Sequence, residues 1–198
     1  MTRLAIIDSG GANIASLQFA VERLGIASDL TTDPQTLNNA SHVILPGVGA
    51  AADCMARLRS AGIVDTIRGL KQPVLGICVG MQLLFESSEE GAVPCIGLLP
   101  GRVRRFARRE GLPVPHMGWN QLELQRESPL LEDISSGDYV YFVHSYAAPI
   151  SADTMASTSY GDSFSAIVQR GNVYGAQFHP ERSAQVGSRL LRNFLRIS

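Results

Sequence analysis

Lysine is nearly absent from this chain, cysteine is scarce, and no long apolar run occurs. Of 17 basic residues only Lys71 is lysine, and 18 acidic residues bring the net charge to −1. That balance argues against a general binder of nucleic acid or other polyanions. The three cysteines, Cys54, Cys78 and Cys95, are an odd number, widely spaced and without a C-x-x-C pair. Neither a disulfide framework nor a zinc site is expected, and a reducing cytoplasm is the expected setting. No segment approaches the ~20 apolar residues of a membrane helix. Only Leu4-Ala5-Ile6-Ile7 separates Arg3 from Asp8, too short for the core of an export signal, so no membrane association is expected. What is present is 45% hydrophobic and 18% charged residues over 198 positions, the profile of a folded chain. With no linker, repeat or low-complexity tract, a single domain over 1–198 is expected.

The first half alternates strand and helix signals. Leu4–Ile7, His42–Leu45 and Val74–Ile77 are short apolar runs that stop at Asp8-Ser9-Gly10-Gly11, at Pro46-Gly47-Val48-Gly49 and at Cys78. Between them, Ile14, Leu17, Val21 and Leu24 recur at helical spacing before Gly25, and a second helix is expected over Ala50–Ala61 before Gly62. Met81–Glu86 also reads as helix. The second half is rich in β signals at Gly101–Phe106, Gly118–Leu124, Tyr139–Tyr146, Met155–Thr158, Ala166–Gln169 and Asn172–Phe178, and a final helix is expected over Ala184–Ile197. The fold class is therefore α/β: an open, mostly parallel sheet flanked by helices, with an antiparallel β extension in the second half.

Gly76-Ile77-Cys78-Val79-Gly80 places a reactive side chain where an apolar strand gives way to a helix, the form of a nucleophile elbow. The flanking glycines suit close backbone approach, and the N–H of Val79 is a natural oxyanion donor. The alternative is a small core cysteine. Among four histidines, His42 looks structural and His144 fits either core or site. His179 ends a strand in Gln177-Phe178-His179-Pro180-Glu181, and in extended chain Glu181 lies on the same side, able to orient the ring. A surface His-Glu pair is the bland alternative. Pro46-Gly47-Val48-Gly49 ends the strand preceding the Cys78 strand, so both can line one crevice at the carboxyl edge of the sheet. Asp8-Ser9-Gly10-Gly11 lacks the G-x-G-x-x-G spacing of a dinucleotide site. The arginines Arg102, Arg104, Arg105, Arg108 and Arg109 fit a solvated hairpin better than a phosphate grip. Trp119, the only tryptophan, is either a buried anchor or an interface residue.

Taken together, Gly76-Ile77-Cys78-Val79-Gly80-Met81-Gln82 and Gln177-Phe178-His179-Pro180-Glu181 resemble the class I (triad) glutamine amidotransferases, which hydrolyse glutamine through Cys, His and Glu in this order. Within that family, Pro46-Gly47-Val48-Gly49 and His116-Met117-Gly118-Trp119-Asn120 are similar to the branch serving histidine biosynthesis. The second segment is the more specific, because sister amidotransferases lack it. The resemblance runs from Ile6 to the C-terminal helix. It implies that Cys78 is the nucleophile, that His179 shuttles protons and that Glu181 orients it. It further implies oxyanion donors at Val79 and Val48-Gly49, and glutamine held by Gln82 and by backbone near Gly47 and His144-Ser145-Tyr146. No cofactor and no metal are implied. Ammonia would pass to a separate (β/α)8-barrel cyclase subunit, forming imidazole glycerol phosphate and an aminoimidazole carboxamide ribotide. The partner face would include Asn13, Trp119, Asn120 and Arg182. The family usually reads Asp-Tyr-Gly-x-Gly-Asn where this chain has Asp8-Ser9-Gly10-Gly11-Ala12-Asn13, a departure bearing on how that loop docks. A non-catalytic subunit with a decayed site is disfavoured by the intact Cys78, His179 and Glu181.

Overall fold

A computed structural model describes residues 2–10 and 13–197; Gly11 of the first turn and the Ala12 departure lie outside the described residues. The apolar runs behave as buried strands. Leu4–Ile7 (β1), His42–Leu45 (β3) and Val74–Ile77 (β4) are buried at every position, as strands covered by helices on both faces must be. Ile14–Glu22 (α1) follows β1 and sets Ile14, Leu17, Ala20 and Val21 against the sheet. Ala51–Ser60 (α3) follows β3 and buries Ala51, Cys54, Met55 and Leu58.

Three short elements carry no strong sequence signal. Ser28–Thr31 (β2) is a polar strand with no fully buried residue, and Pro34–Asn39 (α2) buries only Leu37. The start of α2 is fixed by Asp33, whose carboxylate accepts the Thr36 N–H at 2.8 Å, with Pro34 in the first turn. Val64–Gly69 (α4) buries only Ile67.

The helix expected over Met81–Glu86 is corrected. Val79–Leu83 (α5) is five residues long, and Phe85–Ser88 (β5) is already strand. The carbonyls that a continuing helix would use are taken from outside it. Ile96 N–H donates to Leu83 O, Leu98 and Leu99 N–H groups to Leu84 O, and Gly97 N–H to Phe85 O, all at 2.8–2.9 Å.

After Val93–Pro94 (β6) the second half is mostly strand: Leu99–Arg105 (β7), His116–Gln121 (β8), Glu123–Leu124 (β9), Tyr139–His144 (β10), Tyr146–Ala147 (β11), Thr154–Tyr160 (β12), Asp162–Arg170 (β13) and Val173–Ala176 (β14). Ala184–Phe194 (α6) closes the chain, three residues short of the expected end, with Leu190, Leu191 and Phe194 buried.

The main sheet runs β2-β1-β3-β4-β14-β13-β12-β9. Its first five strands are parallel, and β13, β12 and β9 add antiparallel. A ribbon of β10 with β8 and a four-stranded sheet β11-β7-β5-β6 lie beside it. Because β3, β4 and β14 are parallel and in register, with Leu45 opposite Gly76 and Ala176 opposite Ile77, the segments after them emerge at one edge. That edge receives Pro46–Gly49, Cys78 and His179, at the carboxyl ends of strands where ligands of such sheets bind.

Candidate active site

Cys78 stands between β4 and α5 with φ 54° and ψ −114°, a conformation that L side chains rarely adopt. Its backbone is held at both ends: the N–H donates to Ala176 O at 2.8 Å, and its carbonyl accepts from Gln82 at 3.2 Å. Packing enforces the flanking glycines. A Cβ on Gly80 would sit 1.8 Å from Leu45 O, and one on Gly76 2.7 Å from the Met81 backbone. The thiol is 3.8 Å from Val143 O and 3.9 Å from Gln177 Nε2. The charged side chain coupled to Cys78 is His179.

His179 is anchored by its own N–H, which donates to Tyr141 O at 3.0 Å. Its Nδ1 lies 2.8 Å from Glu181 Oε1, and both side chains are almost wholly buried. An ionised carboxylate only accepts, so Nδ1 carries the proton there and the opposite ring nitrogen is left for Cys78. Burial by itself would lower the imidazole pKa. Hydrogen bonds and charge from Cys78 and Glu181 outweigh it and raise the value to about 10. The Asn13 amide also donates to Glu181 Oε1 and approaches His179 Nδ1 at 3.4 Å. Asn13, expected on the partner face, thus touches the His-Glu pair.

A chamber of about 440 Å³ opens above the thiol, lined by Asn13, Val48, Gly49, Cys78, Val79, Gln82, Glu90, Pro115, Val143, His144, Ser145, Tyr146, His179 and Arg182. Gly47 lies beneath it, packed on Val79 and Gly80, and Glu181 sits behind His179. Trp119 and Asn120 do not line it. Val79 opens α5 and so has no helical carbonyl for its N–H. The Cys54 thiol donates to Val48 O at 3.5 Å, which turns the Gly49 N–H, trans across that peptide, to the opposite side. Ser9, the residue replacing the family's tyrosine, is fully buried and donates to Pro46 O at 2.7 Å. It therefore ties the first turn to the Pro46–Gly49 segment. Both N–H bonds of the Gln82 amide are used, on Tyr146 O at 2.8 Å and Gln177 Oε1 at 3.0 Å, while its Oε1 has no partner among the described residues.

Sequence reasoning missed Glu90. Its carboxylate accepts the Ala51 N–H at 2.8 Å, capping α3, and burial pushes its pKa above the usual range. Lying in the Glu89-Glu90 acidic run, it gave no signal of facing a chamber. Among the described residues no cluster of His, Cys, Asp and Glu is placed to hold a metal ion, and no helix is long and apolar enough to cross a membrane. Arg109 pairs with Asp162 at 2.6 Å and Arg102 with Glu89 at 3.7 Å.

The family model described as glutamine amidotransferase class-I matches residues 5–197. The chain belongs to that family. Its curated relatives within the family include imidazole glycerol phosphate synthase subunit HisH of Xanthomonas euvesicatoria pv. vesicatoria, 56% identical across all of this chain and 99% of the relative. The protein of the same name from Xylella fastidiosa strain Temecula1 is 54% identical across all of this chain and 98% of its own length. The amidotransferase fold recurs in solved structures of low identity. One glutamine amidotransferase crystal structure has TM-score 0.74 at 23% identity, covering 97% of this chain and 96% of its own. The structure of PurLQS from Thermotoga maritima contains a chain with TM-score 0.74 at 19% identity, covering 98% of this chain and 98% of its own.

Proposed function

We propose that this chain is the glutaminase subunit of imidazole glycerol phosphate synthase, hydrolysing glutamine to glutamate and ammonia. The observation that carries the reading is Cys78 and His179 at the floor of an open chamber, with Glu181 buried behind His179. Full-length identity above 50% to HisH subunits supports it. The Cys78 sulfur attacks the side-chain amide carbon of glutamine. The N–H groups of Val79 and of the Val48-Gly49 segment are the donors for the developing oxyanion, and His179, already protonated, delivers its proton to the leaving nitrogen. Ammonia departs and a glutamyl thioester remains. His179 then takes a proton from water, whose oxygen attacks the thioester, releasing glutamate and restoring the free Cys78 sulfur and the protonated His179. Glu181 holds the imidazole in one tautomer throughout, and Asn13 holds Glu181.

Gln82 Oε1 accepts from the substrate. Glu90 supplies the only carboxylate lining the chamber among the described residues, and it pairs with the substrate's α-ammonium. The partner is a (β/α)8-barrel cyclase in the cytoplasm. Its docking is supported by the outward face of the β8–β10 ribbon, where Met117, Trp119 and Tyr139 are each more than half exposed, and by Arg182, stacked 4.9 Å over the Tyr141 ring beside the chamber mouth.

The test is glutamate release by the purified chain alone, with the cyclase, and with the cyclase and its nucleotide ligand, with Cys78→Ala as control. A free glutaminase would waste glutamine, so low activity alone and strong activation by the liganded partner are expected, both abolished in the control. One oxyanion donor out of place costs ~10²–10³ in rate, enough for such a switch. Full activity alone contradicts the coupling, and inactivity in every mixture contradicts the function.

A further inference from the structure

The register of the β8–β10 ribbon sets His116 directly opposite His144. Both face inward and are buried, and His116 Nδ1 lies 3.1 Å from His144 Nε2. Neither imidazole belongs to the Cys78, His179 and Glu181 set, yet their hydrogen bonds run in one direction only. His144 Nδ1 is 2.7 Å from Tyr146 O, and a carbonyl only accepts, so the proton of His144 sits on Nδ1. Its Nε2 is then an acceptor, which requires the proton of His116 on Nδ1 as well. His116 Nε2, left as an acceptor, faces the Asn120 amide donor at 3.4 Å, and that amide is fixed in turn by Ser159 O at 2.9 Å. Both rings stay neutral near pH 7, because burial pushes the pKa of His116 down to about 4 and that of His144 to about 3.

The far end of this chain of bonds is the chamber. The Tyr146 carbonyl that His144 fixes is the one that receives the Gln82 amide, and Gln82 presents the unpartnered Oε1. We propose that His116 and His144 are positioning residues: a donor-ordered pair of neutral imidazoles, anchored at Asn120, that fixes the Tyr146 carbonyl and through it the Gln82 amide that holds the substrate. This rests on the reading of the chamber as a glutamine site. Aromatic packing stiffens the pair, with His116 stacked on Tyr160 at 4.1 Å and on Phe142 at 5.0 Å. The pair gives both polar ends of the His116-Met117-Gly118-Trp119-Asn120 segment a role: residues 116 and 120 lie on the inner face of β8, four apart.

Nitrogen-15 spectra of the imidazoles in the wild-type chain test the ordering without any activity. Nδ1–H is expected in both rings, and an Nε2–H tautomer in either overturns the proposal. Glutamine turnover in the complex with the cyclase tests the consequence. Phenylalanine at either position preserves ring packing and removes the bonds. His116→Phe and His144→Phe are expected to raise KM for glutamine about tenfold, the loss of one buried hydrogen bond, with kcat nearly unchanged. His144→Asn, which retains a donor near the Nδ1 position, is expected to recover most of that loss. Unchanged KM in the phenylalanine variants, or an asparagine variant no better than phenylalanine, overturns it. A wild-type complex that does not turn over glutamine rejects the function instead, while the spectra still decide the ordering.

Discussion

Glu181 is distinguished from the chain's other carboxylates by near-complete burial and by spending one oxygen on both His179 and Asn13. Replacing it with Gln offers the ring an amide that can present a donor where an acceptor is needed. Glu181→Gln is expected to lower kcat for glutamate release by about 10²–10⁴ with little change in KM, measured in the activated complex. A variant with wild-type kcat contradicts the orienting role. At this scale much of the candidate site was legible, because a cysteine between two glycines and a His-x-Glu after a strand depend on local spacing alone. Glu90 was not legible, since a carboxylate within Glu89-Glu90 looks like any solvated charge. Nor was the inward turn of Asn13 and Asn120, whose partners Glu181, His116 and Ser159 lie up to 168 residues away.

Among elements, those with a strong local pattern were legible. Apolar runs of four residues and helices with three-and-four spacing, such as β1, β3, β4, α1 and α3, carry their own evidence. The short elements β2, α2 and α4 bury one residue or none and are held by their neighbours. The helix over Met81–Glu86 overran because Leu83, Leu84 and Phe85 contain no breaker, and the segment 96–99 that stops it is distant in sequence. Close packing at the elbow gives a sharp contrast between two glycines. Gly80→Ala forces a Cβ to 1.8 Å from Leu45 O and is expected to cost more than about 3 kcal/mol or to prevent folding. Gly69→Ala, which meets nothing within 4 Å, is expected to stay within about 1 kcal/mol of wild type. Thermal unfolding of the two variants checks this, and equal melting temperatures contradict the packing of the Pro46–Gly49 segment on α5.

For the whole molecule, the buried imidazoles set the acid limit of stability. The ordinary histidine value is 6.5, and His116 and His144 in the folded chain lie at about 4 and 3. Above pH 6.5 neither state binds these protons. Below it the unfolded chain takes up two that the folded chain refuses, so stability falls as pH drops from 6.5 toward 4, by on the order of 3 kcal/mol per imidazole. His179 acts oppositely. Raised to about 10, it contributes fully below pH 6.5, and its contribution is lost as pH climbs through 10. Denaturant titrations from pH 7 to pH 4 are expected to show a steeper loss for the wild type than for the double variant His116→Phe, His144→Phe; parallel profiles contradict this.

Of the three cysteines, one is assigned as the glutamine nucleophile, and the whole mechanism depends on it. Cys54 and Cys95 are buried, and burial raises both thiol pKa values, that of Cys95 to about 11. Only Cys78 lines the chamber. The most direct measurement is to treat the activated complex with an electrophilic glutamine analogue and locate the adduct on this chain by peptide mass. One adduct at Cys78, prevented by excess glutamine and accompanied by loss of glutamate release, is the predicted result. Inactivation with Cys78 unmodified, or with the label on Cys54 or Cys95, contradicts it.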